Sequence, residues 1–214
     1  MIVIKEATRV RAVLGDIADH PCQAVVCAGN DQFAMGGGVA GALRFKGGAE
    51  LEAEARERAA EHFAGGAGAP LGTVVRTAGH GLDVQFVYHA AVIRYDLRGG
   101  SNAADVLVSY REIFRQAARD GVTVLAVPLL GAGVGGLGPR ASCELLLQAV
   151  EERRETRQRM CVDVVSINPD EFEEAQATVD GYLPPAEREA LLETEAERYL
   201  AALEQARDGD SGSS

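Results

Sequence analysis

Two clusters of glycine, each placed between an apolar run and a helix-like run, constrain the fold of this chain most. The first lies at residues 36–38 after the apolar run 24–28, and the second lies at residues 131–136 after the apolar run 122–130. Glycine in such numbers indicates a tight turn or a close approach of the backbone to another molecule. Three glycines in a row exceed the need of a turn, so we favour the second explanation.

Apolar periodicity and chain breakers predict strands that alternate with helices. The predicted strands are residues 10–14, 24–28, 73–78, 85–91, 122–130 and 162–167. The predicted helices are residues 39–45, 49–63, 102–119, 139–153, 171–177 and 184–206. This alternation predicts an α/β fold with a mainly parallel sheet covered on both faces. Ligands of such sheets bind beyond the carboxyl ends of the strands, which is where both glycine clusters lie.

The charge of the chain is concentrated near its C-terminal end. Residues 169–214 carry 13 acids and 3 bases, whereas residues 1–168 carry 19 acids and 18 bases, within a net charge of −11. A nearly neutral body argues against general nucleic-acid binding, but backbone amides can hold an anion without side-chain charge. The acidic tail has an apolar stripe at helical spacing, so we expect it to dock on its own domain or on a protein partner.

Composition indicates neither a membrane protein nor a metal protein. No apolar run approaches the ~20 residues that a membrane helix needs, and the N-terminal residues lack the apolar region of a secretory signal. The four cysteines, Cys22, Cys27, Cys143 and Cys161, match no zinc-binding spacing. We therefore expect a cytoplasmic protein without a metal or another cofactor.

The second glycine cluster also matches the pattern G-x-G-x-x-G through Gly131, Gly133 and Gly136. In a dinucleotide-binding fold this pattern needs an acid about 20 residues on, at the end of the next strand. The acids in that range, including Glu151 and Glu155, are predicted to be helical. A hydride-transferring enzyme is therefore a poor alternative, and two facing phosphate-binding loops fit a diphosphate held between them.

Several short stretches, taken together in their order and spacing, resemble the macrodomain family, which binds ADP-ribose. They are GDI at residues 15–17, VVCAGN at 25–30, GGGVAGAL at 36–43, VYHAAV at 87–92 and VPLLGAGVGGLGP at 127–139. The small thermophile-type bacterial macrodomains are the most similar. The resemblance implies a three-layer α/β/α fold with a mixed, mostly parallel central sheet. It divides the chain into a macrodomain at residues 1–168 and an acidic helical extension at residues 169–214 with a disordered end.

The resemblance also implies roles for individual residues in an ADP-ribose site. Asp16, beside Ile17 in the ligand-binding set, corresponds to the acid that accepts the adenine amino group, and Asn30 corresponds to the asparagine near the distal ribose. The diphosphate would lie between the two loops formed by Gly36, Gly37, Gly38, Val39, Gly131, Ala132, Gly133, Val134, Gly135 and Gly136. Turn-forming roles for Asp16 and Asn30 are the open alternatives. We expect His89 to be a structural, hydrogen-bonded histidine.

Two departures from the family pattern separate binding from catalysis. Many hydrolytic members carry an aspartate where this chain has Ala40. Another subgroup carries one at the position of Gly135, where an aromatic residue often covers the distal ribose. Both acids are absent, so we predict that the protein binds ADP-ribose, free or as a mono-ADP-ribosyl modification.

The alternative function is a mono-ADP-ribosyl hydrolase that removes ADP-ribose from a modified protein. In that hypothesis Asn30 is the candidate catalytic residue, because it positions the ribose while a phosphate-bound water attacks. A third hypothesis, a scaffold that acts through its acidic tail, is disfavoured because both glycine loops are retained.

Overall fold

The computed structural model describes residues 2–4, 8–63, 68–96, 100–153 and 159–182. Within them lie seven strands and five α-helices. The strands are β1 (Ile2–Ile4), β2 (Thr8–Leu14), β3 (Ala24–Asn30), β4 (Val74–Ala78), β5 (Phe86–Ile93), β6 (Val124–Val127) and β7 (Met160–Ser166). The helices are α1 (Gly38–Gly47), α2 (Ala49–Ala59), α3 (Ala103–Arg119), α4 (Pro139–Glu152) and α5 (Pro169–Asp180).

The strands form one mixed sheet in the order β1-β2-β7-β6-β3-β5-β4. Its five inner strands, β2, β7, β6, β3 and β5, run parallel, and the two outer strands pair antiparallel with their neighbours. The carboxyl ends of all five parallel strands therefore meet at the same edge of the sheet. The prediction of a mixed, mostly parallel sheet is confirmed.

Helices cover both faces of the sheet. On one face, Leu43 of α1 and Leu51 of α2 are completely buried in a cluster that includes Val25 of β3 and Val87 of β5. Tyr88 follows Val87 and points to the opposite face, because successive side chains of a strand alternate. Its hydroxyl donates to Asp120 at the end of α3, 2.9 Å away. Helix α3 packs on α4, and α4 packs on α5, so these three helices form the second covering layer.

Strand β6 is shorter than the predicted strand at residues 122–130. After Val127 the chain continues into the second glycine loop, because Pro128 has no amide hydrogen for a ladder bond. The amide of Leu130 does not pair with a neighbouring strand. It donates to the hydroxyl of Tyr110 at 2.9 Å. The apolar character of residues 128–130 comes from burial beneath the loop rather than from strand pairing.

Helix α5 is longer than the predicted helix at residues 171–177. Asn168 caps it by accepting a hydrogen bond from the amide of Asp170 at 2.9 Å, and Ala175 and Val179 are buried. The helix packs on α4 and β2. The predicted division at residue 168 stays a prediction, and the predicted helix at residues 184–206 lies outside the described residues.

The four cysteines are all free thiols. Cys27 and Cys143 are buried, and burial raises the pKa of each thiol to about 12. Both are therefore small core residues. In the part of the chain that the structure describes, no helix has both the length and the apolar character needed to cross a bilayer.

Candidate functional site

A cleft of about 1190 Å³ lies at the sheet edge where the five parallel strands end. Each of these strands is followed by a loop that contributes to its lining. Residues 15–17 follow β2, residues 34–38 belong to the loop after β3, Tyr95 follows β5, residues 131–135 follow β6, and residues 167–168 follow β7. All of the predicted ligand-binding residues except Gly136 line this cleft.

The first glycine loop leads directly into α1. Gly37 is the N-cap residue of α1. Its backbone is extended, and no side chain caps the helix. The first amides of α1 are therefore not satisfied by a capping side chain, and the helix dipole adds partial positive charge at this point. Gly38 has a φ of 56°, in the left-handed region that favours glycine. A Cβ placed on Gly36 or Gly37 would meet no atom within 4 Å, and neither residue has a positive φ.

The second glycine loop combines crowded and open positions. Gly131 has a φ of 72°, and a Cβ on Gly135 would lie 2.6 Å from the carbonyl oxygen of Gly131. By contrast, a Cβ on Gly133 would meet nothing within 4 Å. Gly136, which does not line the cleft, has a φ of 75° and donates its amide to Gly133 O at 2.9 Å. Backbone conformation accounts for glycine at position 136.

Asp16 lies in the loop after β2 and lines the cleft. Its Oδ1 accepts a hydrogen bond from the amide of Ala18 at 2.9 Å, so the side chain does form a turn. Its Oδ2 lies 3.9 Å from Lys46 Nζ. The Asp16 side chain is 38% exposed, so Oδ2 keeps acceptor capacity for a ligand in the cleft. The adjacent Ile17 is buried and fixes the turn in the core.

Asn30 also forms a turn. Its Oδ1 accepts hydrogen bonds from the amides of Gln32 and Ala34 at 3.1 and 3.2 Å, and its Nδ2 donates to Ala34 O at 2.8 Å. The turn-forming role left open by the sequence is therefore present in the structure. A primary amide has two N–H groups, so one hydrogen of Nδ2 stays available to a ligand in the cleft.

Sequence reasoning missed Asp31, which is 3% exposed. Its Oδ1 accepts the amide of Tyr95 at 2.8 Å, and its Oδ2 accepts from Arg94 at 3.3 Å. This carboxylate joins the loop after β3 to the loop after β5. These hydrogen bonds hold Tyr95 at the cleft, where it is 61% exposed. An acid directly after a buried strand, beside Asn30, was the available signal.

A second missed feature consists of Arg44 on α1 with Glu52 and Arg56 on α2, all of which line the cleft. Arg44 Nε lies 2.5 Å from Glu52 Oε2, and Arg56 Nη1 lies 3.9 Å from Glu52 Oε1. Glu52 Oε1 also accepts the amide of Met35 at 3.4 Å. We call these three side chains the arginine cluster. It adjoins the first glycine loop, because Met35 immediately precedes Gly36.

The turn that carries Asp16 is anchored to β7 through a buried carboxylate. Asp163 Oδ2 lies 2.7 Å from His20 Nε2, and Arg11 donates to both oxygens of Asp163 at 2.6 and 2.9 Å. Burial alone raises the pKa of the Asp163 carboxyl, but the hydrogen bonds from Arg11 and His20 outweigh it, and the net pKa is below the ordinary value. This carboxylate therefore stays ionised and holds the turn against the sheet.

Comparison with known proteins identifies the family of this fold and cleft. Residues 26–146, more than half of the chain, match the Macro domain family. The chain belongs to the macro domain family. A macro domain-containing protein of Streptomyces griseus is 35% identical over 128 residues, which make up 59% of this chain and 70% of that protein. The family predicted from the sequence is thus confirmed.

Solved macrodomain structures share the fold. A macrodomain variant of Oceanobacillus iheyensis with ADPR has a TM-score of 0.72 at 20% identity, covering 84% of this chain and 95% of that chain. A Trypanosoma brucei macrodomain in complex with ADP-ribose has a TM-score of 0.62 at 23% identity, covering 82% of this chain and 70% of that chain. These likenesses confirm the three-layer macrodomain fold.

In this macro domain, Ala40 lies in the first turn of α1 and is 4% exposed. It lines the cleft and packs in the core cluster with Ile17 and Leu43. The carboxylates that line the cleft are Asp16, Glu52 and Glu171, and Glu171 accepts from Ser166 Oγ at 2.7 Å. Among the described residues, no group of three or more His, Cys, Asp or Glu is arranged to hold a metal ion.

His89 of the macro domain is a core residue. It is 2% exposed, and its Nε2 lies 2.9 Å from Thr77 Oγ1 on β4. Burial lowers the pKa of the imidazole to about 3, so the ring is neutral at physiological pH. The predicted structural, hydrogen-bonded role is confirmed.

Proposed function

We propose that this protein binds ADP-ribose, free or as a mono-ADP-ribosyl group on a modified macromolecule. Membership of the macro domain family supports the ligand class, and the cleft supports the mode of binding. The diphosphate lies between the two glycine loops. Adenine lies at the end of the cleft that holds Asp16 and Ile17, and the distal ribose lies at the end that holds Asn30.

One observation supports a backbone cradle most strongly. Gly36, Gly37 and Gly133 line the cleft, yet neither a positive φ nor a packing contact within 4 Å requires glycine at these positions. A side chain at any of them would project into space that the protein itself does not fill. Glycine there is explained when a ligand occupies that space and approaches the main-chain amides closely.

The uncapped start of α1 supplies the electrostatic part of the proposal. Helices α3 and α5 are capped by the side chains of Asn102 and Asn168, whereas α1, like α2 and α4, has a glycine N-cap and no side-chain cap. Its first turn contains no acid that would repel an anion. Free amides together with the helix dipole suit a phosphate group.

A hydrolytic activity on the same ligand is the second candidate. The conditions for it are a water near the anomeric carbon and a group that orients it. The absence of an acid at Ala40 favours binding over hydrolysis, while the remaining N–H of Asn30 is placed to position a ribose hydroxyl. A substrate phosphate would then have to hold the water.

Calorimetric titration of the full chain tests the proposal. ADP-ribose should bind in the presence and in the absence of a chelator, because the proposed contacts are amides and side chains rather than a metal. AMP and ribose-5-phosphate, which each carry one half of the ligand, should bind more weakly. Failure of ADP-ribose to bind, or binding that requires a divalent ion, would contradict the backbone cradle.

Three further predictions from the sequence stay proposals. We propose a cytoplasmic location, which four free thiols support. The acidic extension is proposed to dock on its own domain or on a protein partner, and residues 183–214, which hold most of it, lie outside the described part of the chain. A nearly neutral body supports the expectation that nucleic acid in general is not a partner.

A further inference from the structure

The arginine cluster lines the cleft beside the first glycine loop and has no role in the contacts assigned above to ADP-ribose. Its two guanidinium groups face one carboxylate, that of Glu52. Arg44 pairs closely with this carboxylate. Arg56 lies 3.9 Å from it, beyond hydrogen-bond distance, and its side chain is 56% exposed. With two guanidinium groups and one carboxylate, the cluster carries a surplus positive charge at the cleft wall, and the exposed Arg56 side chain is the more weakly held of the two.

The arginine cluster lies near the proposed position of the distal ribose. Glu52 holds the amide of Met35, and the preceding residue, Ala34, is hydrogen-bonded to Asn30, so the cluster adjoins the loop that holds Asn30. With adenine beside Asp16 and the diphosphate between the loops, the distal ribose is directed toward this end. Whatever is attached to that ribose leaves the cleft past Arg44 and Arg56. This step rests on the proposed function.

The size of the cleft agrees with an additional occupant. Ligand pockets for small molecules usually have about 300–1,000 Å³, and this cleft has about 1190 Å³. The arginine cluster belongs to the same continuous cleft as the glycine loops. Space and charge at this end are thus available to a group beyond the ligand itself.

We propose that Arg56, supported by Arg44 and Glu52, binds a carboxylate on the protein chain that carries the ADP-ribosyl group. A guanidinium offers planar, paired donors that match a carboxylate. Glu52 fixes Arg44 and leaves Arg56 loosely held, so Arg56 is the group that an incoming acid engages. The preferred substrate class is a mono-ADP-ribosylated protein segment with acidic residues beside the modified position.

An acidic protein segment is favoured over nucleic acid by charge. A nucleic acid brings a phosphate at every nucleotide and requires a broad basic footprint. The chain has a net charge of −11, and residues 1–168 are nearly neutral. One available guanidinium suits a single neighbouring carboxylate rather than a polyanion.

Two peptides and three forms of the full chain test this inference. Both peptides carry a non-hydrolysable mono-ADP-ribosyl group at the same residue, flanked by glutamates in one and by glutamines in the other. The protein forms are wild type, Arg56→Glu and Arg58→Glu. Arg58 is the matched control, since it lies on the same helix and forms the same i,i+4 pair, with Glu54, but does not line the cleft.

We expect wild type to bind the glutamate peptide about three- to fivefold more tightly than the glutamine peptide, the range of an exposed ion pair. Arg56→Glu should abolish or reverse this preference, and Arg58→Glu should retain it. Equal affinities of wild type for the two peptides, with free ADP-ribose still bound, would overturn this inference and leave the proposed function intact. If both variants lose the preference, the preference comes from overall charge, and the inference is again overturned.

A third ligand and the free nucleotide complete the experiment. The third ligand is an ADP-ribosylated oligonucleotide. If wild type binds it more tightly than either peptide and Arg56→Glu loses this preference, the partner is nucleic acid and the inference is overturned. Failure of wild type to bind free ADP-ribose would overturn the proposed function itself.

Discussion

The hydroxyl of Ser101 fills the space that a side chain at position 135 would need. A Cβ on Gly135 would collide with Ser101 Oγ and would lie 2.6 Å from Gly131 O. Ser101 is held in place from both sides, since its hydroxyl donates to Val92 O at 2.6 Å and its amide donates to Gly135 O at 2.8 Å. This contact ties the second glycine loop to the end of β5 and excludes an acid or an aromatic residue at Gly135.

The first prediction compares two glycines of that loop. Gly135→Ala should lower the free energy of unfolding by about 1–3 kcal/mol, as overpacking does, because the backbone of Gly131 must shift. Gly133→Ala should change it by less than about 1 kcal/mol, since its Cβ meets no atom. Gly133→Ala should instead weaken ADP-ribose binding. Chemical denaturation and calorimetry of both variants measure this, and equal unfolding energies would contradict the crowding at Gly135.

The second prediction concerns Asp16. Asp16→Ala should weaken ADP-ribose binding by about 1–3 kcal/mol, the scale of a hydrogen bond to a charged group. Binding of ribose-5-phosphate, which has no adenine, should change little. Asp16→Asn is the control for the turn, because its side-chain oxygen can still accept the amide of Ala18. If Asp16→Ala weakens both ligands equally, the residue supports the fold rather than adenine recognition.

The third prediction adds the missing acid. Ala40→Asp should raise the single-turnover release of ADP-ribose from a modified protein, and general base assistance typically contributes about 10²–10⁴-fold. Affinity should fall, because the new carboxylate lies near the diphosphate. Asn30→Ala should lower release in either background by removing the residue that positions the ribose.

The stability of each of these variants must be checked before its rate is interpreted. Asn30 makes three hydrogen bonds within its own loop, so its removal also loosens the turn. Rapid release by wild type that slows in Ala40→Asp would show that the protein is a hydrolase that does not use an acid at this position.

The fourth prediction is a pH dependence from His89. Its pKa in the folded protein is about 3, whereas an unperturbed histidine has a pKa of about 6.5. The unfolded chain therefore binds more protons between these values, and the free energy of unfolding should fall as the pH is lowered from about 6.5 toward 3. The slope approaches about 1.4 kcal/mol per pH unit. Above pH 6.5 this contribution is constant.

Denaturation of wild type and His89→Gln between pH 7 and pH 4.5 measures the difference in slope. His89→Gln should show a shallower loss of stability on acidification, even if its stability at pH 7 is lower. His62→Gln, at an exposed histidine, is the control for the substitution itself. Parallel curves for wild type and His89→Gln would contradict the burial of a neutral imidazole.

The parts of this fold that depend on local pattern could be predicted from the sequence. Buried strands such as β3 and β5 consist mostly of apolar residues. Helix α3 has a clear apolar stripe, and Asn102 caps its start. The position of both glycine loops follows from parallel pairing alone, because the carboxyl ends of parallel strands share one edge. Strand β1, with three residues, is too short for any periodicity to reveal.

The parts of the candidate site that depend on distant contacts could not be predicted. Glu52 accepts the amide of Met35, which is 17 residues away in the sequence. Arg44 pairs with Glu52 only because the chain turns back at Gly48, between α1 and α2. Ser101 restricts Gly135 through a contact between two loops. The contribution of the loop after β5 could nevertheless have been predicted from the sequence. Ligands bind beyond the carboxyl ends of parallel strands, and β5 is one of these strands.

The glycines that line the cleft have a consequence for how this protein changes in evolution. The amides that are proposed to hold the diphosphate belong to the main chain, so side-chain substitutions elsewhere in the loops leave them in place. In the proposed mode of binding, the residues at positions 16, 30 and 40 act through their side chains, and each can be exchanged by a single mutation. Lineages can therefore gain or lose a reaction at one end while the capacity to hold a diphosphate is inherited unchanged.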